Sequence, residues 1–250
     1  MTRRLVGSLL LAVVVGGCGT GGDASADAGE LTVFAAASLG EVYEQLAADF
    51  VEEHPGTEVS FSFAGSADLV AQVVAGAPAD VLATADETTM ADAVAAGAVK
   101  GNPEVVARNV LTLVTPRGNP AGVTGLDESL DGAALVVCAP QVPCGAATAV
   151  LAERLGVTLS PVSEEGSVTD VLGKVTSGQA DAGVVYATDA ARAGDAVDVV
   201  AVPGAEDVVN RYPVAVTTDG DSPGLARAWV EHLGSREGQQ VLRVAGFGAP

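Results

Sequence analysis

The sequence predicts an α/β protein with a largely parallel sheet. Short apolar or alternating runs, which suit strands, take turns along the chain with longer runs of helical period. Glycines punctuate the helical runs at Gly76, Gly97, Gly156 and Gly178, where a helix C-terminus favours a residue free to turn left-handed. The chain is 250 residues long and 48% hydrophobic, enough for one large domain or two small ones with a proper core. Alternation of this kind packs helices against a sheet.

The elements follow in order. Residues 31–36, LTVFAA, read as an apolar strand. Residues 38–53 place Leu39, Val42, Tyr43, Leu46, Ala47 and Phe50 on one helical face. Residues 57–63, TEVSFSF, alternate like a strand, and the loop Ala64-Gly65-Ser66 leads into a helix over 67–75. A strand at 80–84, a helix at 87–96, a strand at 109–115 and a strand at 133–138 come next. A helix is expected at 146–155, and another opens at Ser167-Val168-Thr169-Asp170, a spacing suited to a cap. Strands at 181–186, 197–202 and 212–217 precede helices at 225–233 and 237–244. No repeat of fixed period occurs.

Residues 1–17 combine Arg3 and Arg4, an apolar run and small residues. They read as a secretory signal peptide, too short to span a bilayer comfortably. Residues 18–29 begin with Cys18 and Gly19 and continue from Thr20 as TGGDASADAG, small and polar like a flexible tether. The net charge is −20, and removal of Arg3 and Arg4 with the leader makes it −22. Nucleic acid is not an expected partner for so acidic a chain. Anions are repelled in bulk, so any anion site has to be built locally. Cys138 and Cys144 remain once Cys18 is set aside. Outside the cytoplasm they read as a disulfide, worth about 2–2.5 kcal/mol for so short a loop. A metal site is the alternative, but His54 and His232 lie far off in sequence.

Several strand-to-helix junctions carry the residues of interest. In FAAASLGE, Ser38 followed by Glu41 has the capping-box spacing. A helix start also offers unpaired N–H groups and a positive dipole end, which attract anions. FAGSADL sets Gly65 and Ser66 before a helix; GAPADV places Asp80 in a tight turn, where it is read as structural. VPCGAAT puts Pro143 and Gly145 at a helix start, and GVVYATDA ends a strand in Tyr186. The carboxyl end of such a strand faces the usual ligand crevice of open α/β sheets.

These five motifs, in this order and spacing over residues 31–247, resemble the molybdate-binding proteins of bacterial ABC importers. The resemblance implies a periplasmic-binding-protein fold of type II kind, with an oxyanion cleft between two lobes. It implies lobe I from residues 30–108 plus 213–250 and lobe II from 109–212. Carried over position by position, it implies ligand contacts at Ser38, Ser66, Cys144, Val168 and Tyr186. Cys144 departs from the alanine common in relatives, which matters little if its backbone N–H makes the contact. The sequence around Cys18, VGGC, resembles a lipobox and implies a lipid anchor there on the outer face of the cell membrane. The expected partners are molybdate or tungstate and an ABC permease; a monomer with no resident cofactor and no metal-cation ligands is expected.

The chemistry is consistent. A tetrahedral dianion offers acceptors only, so hydroxyls and helix-start amides suffice, and no Lys or Arg falls among the contacts. The alternatives are the same fold tuned to sulfate or phosphate and, more distantly, a lipid-anchored hydrolase. For an enzyme, the sequence reading finds no nucleophile elbow, no HExxH helix and no P-loop.

Overall fold

The computed structural model describes residues 29–250. The expected signal peptide, the anchor at Cys18 and most of the tether lie outside the described residues.

Strand β1 (Glu30–Ala36) is apolar on both faces because it lies inside the sheet. It pairs in parallel with β2 (Glu58–Ala64) and with β3 (Val81–Ala83). Helices α1 (Gly40–Glu53), α2 (Ser66–Val74) and α3 (Glu87–Ala95) alternate with these strands. The chain then runs through the long strand β4 (Val99–Pro116). Beyond it come β5 (Leu135–Cys138), α4 (Pro143–Leu155), β6 (Ser163–Glu165), α5 (Val168–Thr176), β7 (Ala182–Tyr186), α6 (Ala187–Ala193) and β8 (Val197–Val200). Strand β9 (Val209–Thr217) returns, and α7 (Pro223–Gly234) and α8 (Arg236–Val244) finish the fold.

The strands line up as β2-β1-β3-β9-β4-β7-β5-β6, with β8 beside β4. Two lobes result, one around β1–β3 and one around β5–β7. Strands β4 and β9 link them. Strand β4 pairs antiparallel with β9 as far as Val110, then turns to β7 and β8 from Leu111 onward. The sheet is thus mixed rather than largely parallel: each lobe has a parallel centre, and the linking strands run antiparallel to it. The first half of β4 escapes the sequence reading because Gly101, Asn102 and Pro103 look like a turn. They sit instead where the β4–β9 register shifts between Lys100 and Glu104.

In the first lobe Trp229 of α7 is fully buried and meets Tyr43 and Phe50 of α1 edge-on, at 5.5 and 5.3 Å between ring centres. Such pairs add to the area they bury. Asp80 ties the same lobe together, as the sequence reading held. Its carboxylate accepts from Thr32 N–H at 2.8 Å and Ser222 N–H at 2.7 Å, while its backbone bonds Thr32 and Thr217.

Candidate ligand-binding site

All five positions singled out in the sequence line one small cavity between the lobes. Each arrives by a separate element. Ser38 lies in a 3-10 turn, Ala37–Leu39, directly after β1. Ser66 opens α2, Cys144 is the second residue of α4, Val168 opens α5, and Tyr186 ends β7.

Ser38 does not do what its spacing suggested. Leu39 is the residue before α1, no side chain caps that helix, and Glu41 faces solvent. The inserted 3-10 turn moves the helix start beyond reach of the serine, and its hydroxyl meets that of Tyr212 at 3.1 Å instead. The second capping pattern does form: Ser167 Oγ accepts from Asp170 N–H at 3.2 Å and donates to Asp170 Oδ2 at 2.7 Å. Helices α2 and α4 start without a side-chain cap. Their first-turn amides lack intrahelical acceptors by geometry, and Ser66 and Cys144 at those starts line the cavity. Ser66 Oγ accepts from Ala85 N–H at 3.0 Å, so its own proton is left to donate.

Pro143 at the first turn of α4 gives up no hydrogen bond there. The expected Cys138–Cys144 disulfide is made and ties β5 to that helix start. Gly145 follows because no larger residue fits: a Cβ would stand 1.9 Å from the Ala139 carbonyl oxygen.

The cavity leaves about 20 Å³ for the centre of a water-sized sphere. Its lining contains no Lys or Arg. Among the described residues the Tyr186 hydroxyl, on a side chain 1% exposed, makes no well-formed hydrogen bond, although the Tyr212 hydroxyl lies nearby. Burial, then the Tyr212 hydroxyl and the carboxylates of Asp86 and Asp189 nearby, push its titration far above the ordinary tyrosine range. It is therefore a neutral donor in want of an acceptor. The lobes touch at the rim, where a Cβ on Gly65 would lie 2.1 Å from the Gly166 carbonyl oxygen. The two lobes are thus in contact at one edge of the cleft.

The sequence model of the bacterial extracellular solute-binding proteins matches residues 31–248. The chain belongs to that family. It is 42% identical to the molybdate-binding protein ModA of Mycobacterium tuberculosis (strain ATCC 25618 / H37Rv) over 257 residues, which cover 100% of this chain and 98% of the relative. It is 32% identical to the molybdate-binding protein ModA of Escherichia coli (strain K12) over 237 residues, 90% and 91% of the two chains. Among solved structures, the Azotobacter vinelandii periplasmic molybdate-binding protein has a TM-score of 0.77 at 23% identity, covering 88% of this chain and 99% of that one. The sulfate-binding protein SubI from Mycobacterium tuberculosis H37Rv has a TM-score of 0.72 at 23% identity, covering 88% and 86%. These two structures establish the two-lobe fold.

Beside the cavity of this solute-binding protein lies a charged cluster that sequence reading missed. Asp189 of α6 is buried, and its carboxylate pairs with Arg192 Nη2 at 3.2 Å. Arg192 also reaches across the cleft toward Glu41 at 3.9 Å. Burial pushes the Asp189 carboxyl up to about 6, although Arg192 and a backbone bond to Tyr186 hold it down. The folded state therefore binds this proton more tightly than the unfolded chain does. The stability it confers is complete below the ordinary carboxylate range near 3.8 and is lost as pH rises through about 6. Urea melts of the native protein and Asp189→Asn at pH 4 and pH 7 are expected to show the native protein losing about 2–3 kcal/mol relative to the variant over that interval. An unchanged difference contradicts the buried-carboxylate account.

The hydrolase alternative has a specific test in this solute-binding protein. Against the sequence reading, the G-x-S-x-G spelling does occur, at Gly220-Asp221-Ser222-Pro223-Gly224. Ser222 there donates its hydroxyl to the Glu30 carbonyl at 2.6 Å and its N–H to Asp80. His232 sits ten residues along the helix that follows, about 15 Å away at 1.5 Å per residue. The motif builds a turn, not a nucleophile.

Proposed function

We propose that this chain captures molybdate or tungstate outside the cytoplasm and delivers it to an ABC permease. The observation that carries the reading is one cavity that gathers Ser38, Ser66, Cys144, Val168 and Tyr186 from both lobes and offers donors without cations. A buried dianion is tolerable only when its oxygens are all bonded. Hydroxyls of Ser38, Ser66 and Tyr186 and the amides of Cys144 and Val168 supply those bonds. A water needs about 10–15 Å³ on the same measure of room, so the cavity suits one compact inorganic anion rather than an organic ester. The ModA relatives support molybdate in particular.

The lobes are proposed to divide at residues 108/109 and 212/213, next to the place where β4 leaves β9 for β7. Hinge motion there opens and closes the cleft. The chain is proposed to work as a monomer, held to the membrane through lipidated Cys18.

The test is a thermal-shift panel with sodium molybdate, tungstate, sulfate and phosphate. Molybdate and tungstate are expected to stabilise the protein, by about 2.7 kcal/mol at a hundred times the dissociation constant. Absence of a shift with both overturns the reading. A larger shift with sulfate supports the sulfate alternative, which the SubI likeness keeps in view.

A further inference from the structure

Tyr212 and Asn109 are not among the five ligand contacts, yet they stand behind the cavity on the two linking strands. Asn109 lies on β4 and is 5% exposed; Tyr212 lies on β9 and is fully buried. The Asn109 carboxamide has a fixed orientation, because its Oδ1 accepts from the N–H of Val110 at 3.0 Å. Its amino group therefore faces the other way. It donates to Thr188 Oγ1 at 2.7 Å and to the Tyr212 hydroxyl oxygen at 3.5 Å.

A tyrosine hydroxyl has one proton to give. With Asn109 donating to its oxygen, Tyr212 keeps its one proton to give, and Ser38 Oγ, 3.1 Å away, is a hydroxyl in reach to accept it. Ser38 Oγ then accepts, and its own proton is left for the cavity it lines. Ser66 is set the same way by the Ala85 N–H.

We infer that Asn109 and Tyr212 are positioning residues that lock Ser38 as a hydrogen-bond donor toward the bound anion. The inference rests on the oxyanion reading of the site. It adds a basis for selectivity: an oxyanion that carries a proton, such as hydrogen phosphate, needs an acceptor, and a Ser38 that takes the Tyr212 proton turns its own proton rather than a lone pair to the anion. The relay runs along the strands at which the lobes hinge, so it also couples one lobe's ligand group to the linking strands.

Calorimetry with sodium molybdate on four proteins tests this: native, Tyr212→Phe, Ser38→Ala and the double variant. Tyr212→Phe is expected to weaken molybdate binding about tenfold in the native background and less than twofold when Ser38 is already alanine. An equal loss in both backgrounds, or none in the native one, overturns the relay. A joint X-ray and neutron structure of the deuterated native protein without ligand gives a second reading that needs neither folding of the variants nor binding. Deuterium on the Tyr212 oxygen directed at Ser38 supports the relay, and deuterium directed elsewhere overturns it. Failure of the native protein to bind either molybdate or tungstate overturns the proposed function, while the neutron result still decides the relay.

Discussion

Gly65→Ala is expected to leave the protein folded and to weaken molybdate binding about a hundredfold. The backbone at Gly65 has φ −60° and ψ 139°, an extended conformation open to any residue. Glycine is required there for the approach of the lobes. An added Cβ would stand 2.1 Å from the Gly166 carbonyl oxygen of the other lobe. That atom is backbone, so the relief available is to part the lobes by more than an ångström. Hydrogen bonds weaken quickly beyond about 3.2 Å. Losing two bonds to a charged ligand, at about 1.5 kcal/mol each, amounts to about 3 kcal/mol, or roughly a hundredfold. Calorimetry with sodium molybdate reads the loss, and an unchanged thermal midpoint without ligand is the accompanying expectation. Native affinity in this variant would mean that closure at the Gly65–Gly166 rim contributes nothing.

Gly145→Ala should act differently, because its clash lies within one lobe. The added Cβ would meet the Ala139 and Cys138 carbonyl oxygens at 1.9 and 2.7 Å, inside the loop closed by the Cys138–Cys144 disulfide. Neither lobe movement nor rotamer change relieves a contact with backbone held by a covalent link. The expected cost is folding stability, about 3 kcal/mol at the upper end for overpacking. A domain this size shifts by roughly 2–4 °C per kcal/mol, so a fall of about 6–12 °C in the ligand-free midpoint is the result to look for. A midpoint within 2 °C of native would show that α4 can move away from β5, and that its amides are less firmly placed than the site requires.

The contrast between these glycines shows where sequence reading reaches. The strand and helix alternation was legible because period and glycine stops are local signals. The five cavity residues were legible only as a set, through a resemblance that linked junctions far apart in the chain. Ser38 illustrates the limit. Its spacing to Glu41 suggested a cap, but one extra 3-10 turn removed the cap and turned the hydroxyl toward Tyr212. In the sequence Tyr212 is legible only as a strand start at a lobe boundary, since nothing local ties it to a residue 174 positions earlier. The same holds for Asp189 and Arg192, whose pairing with each other is local but whose reach to Glu41 is not. The parallel character of the sheet was overestimated because the linking strands β4 and β9 look like any other strand in isolation.

The proposed site holds one oxyanion between the lobes by donors alone. Crystals grown with sodium molybdate, measured at the molybdenum absorption edge, test it most directly. The anomalous peak is expected in the cavity bounded by Ser38, Ser66, Cys144, Val168 and Tyr186, with the Tyr186 hydroxyl within hydrogen-bond distance of the anion. A peak elsewhere on the protein, or an anion that leaves the Tyr186 hydroxyl without a partner, would contradict the account.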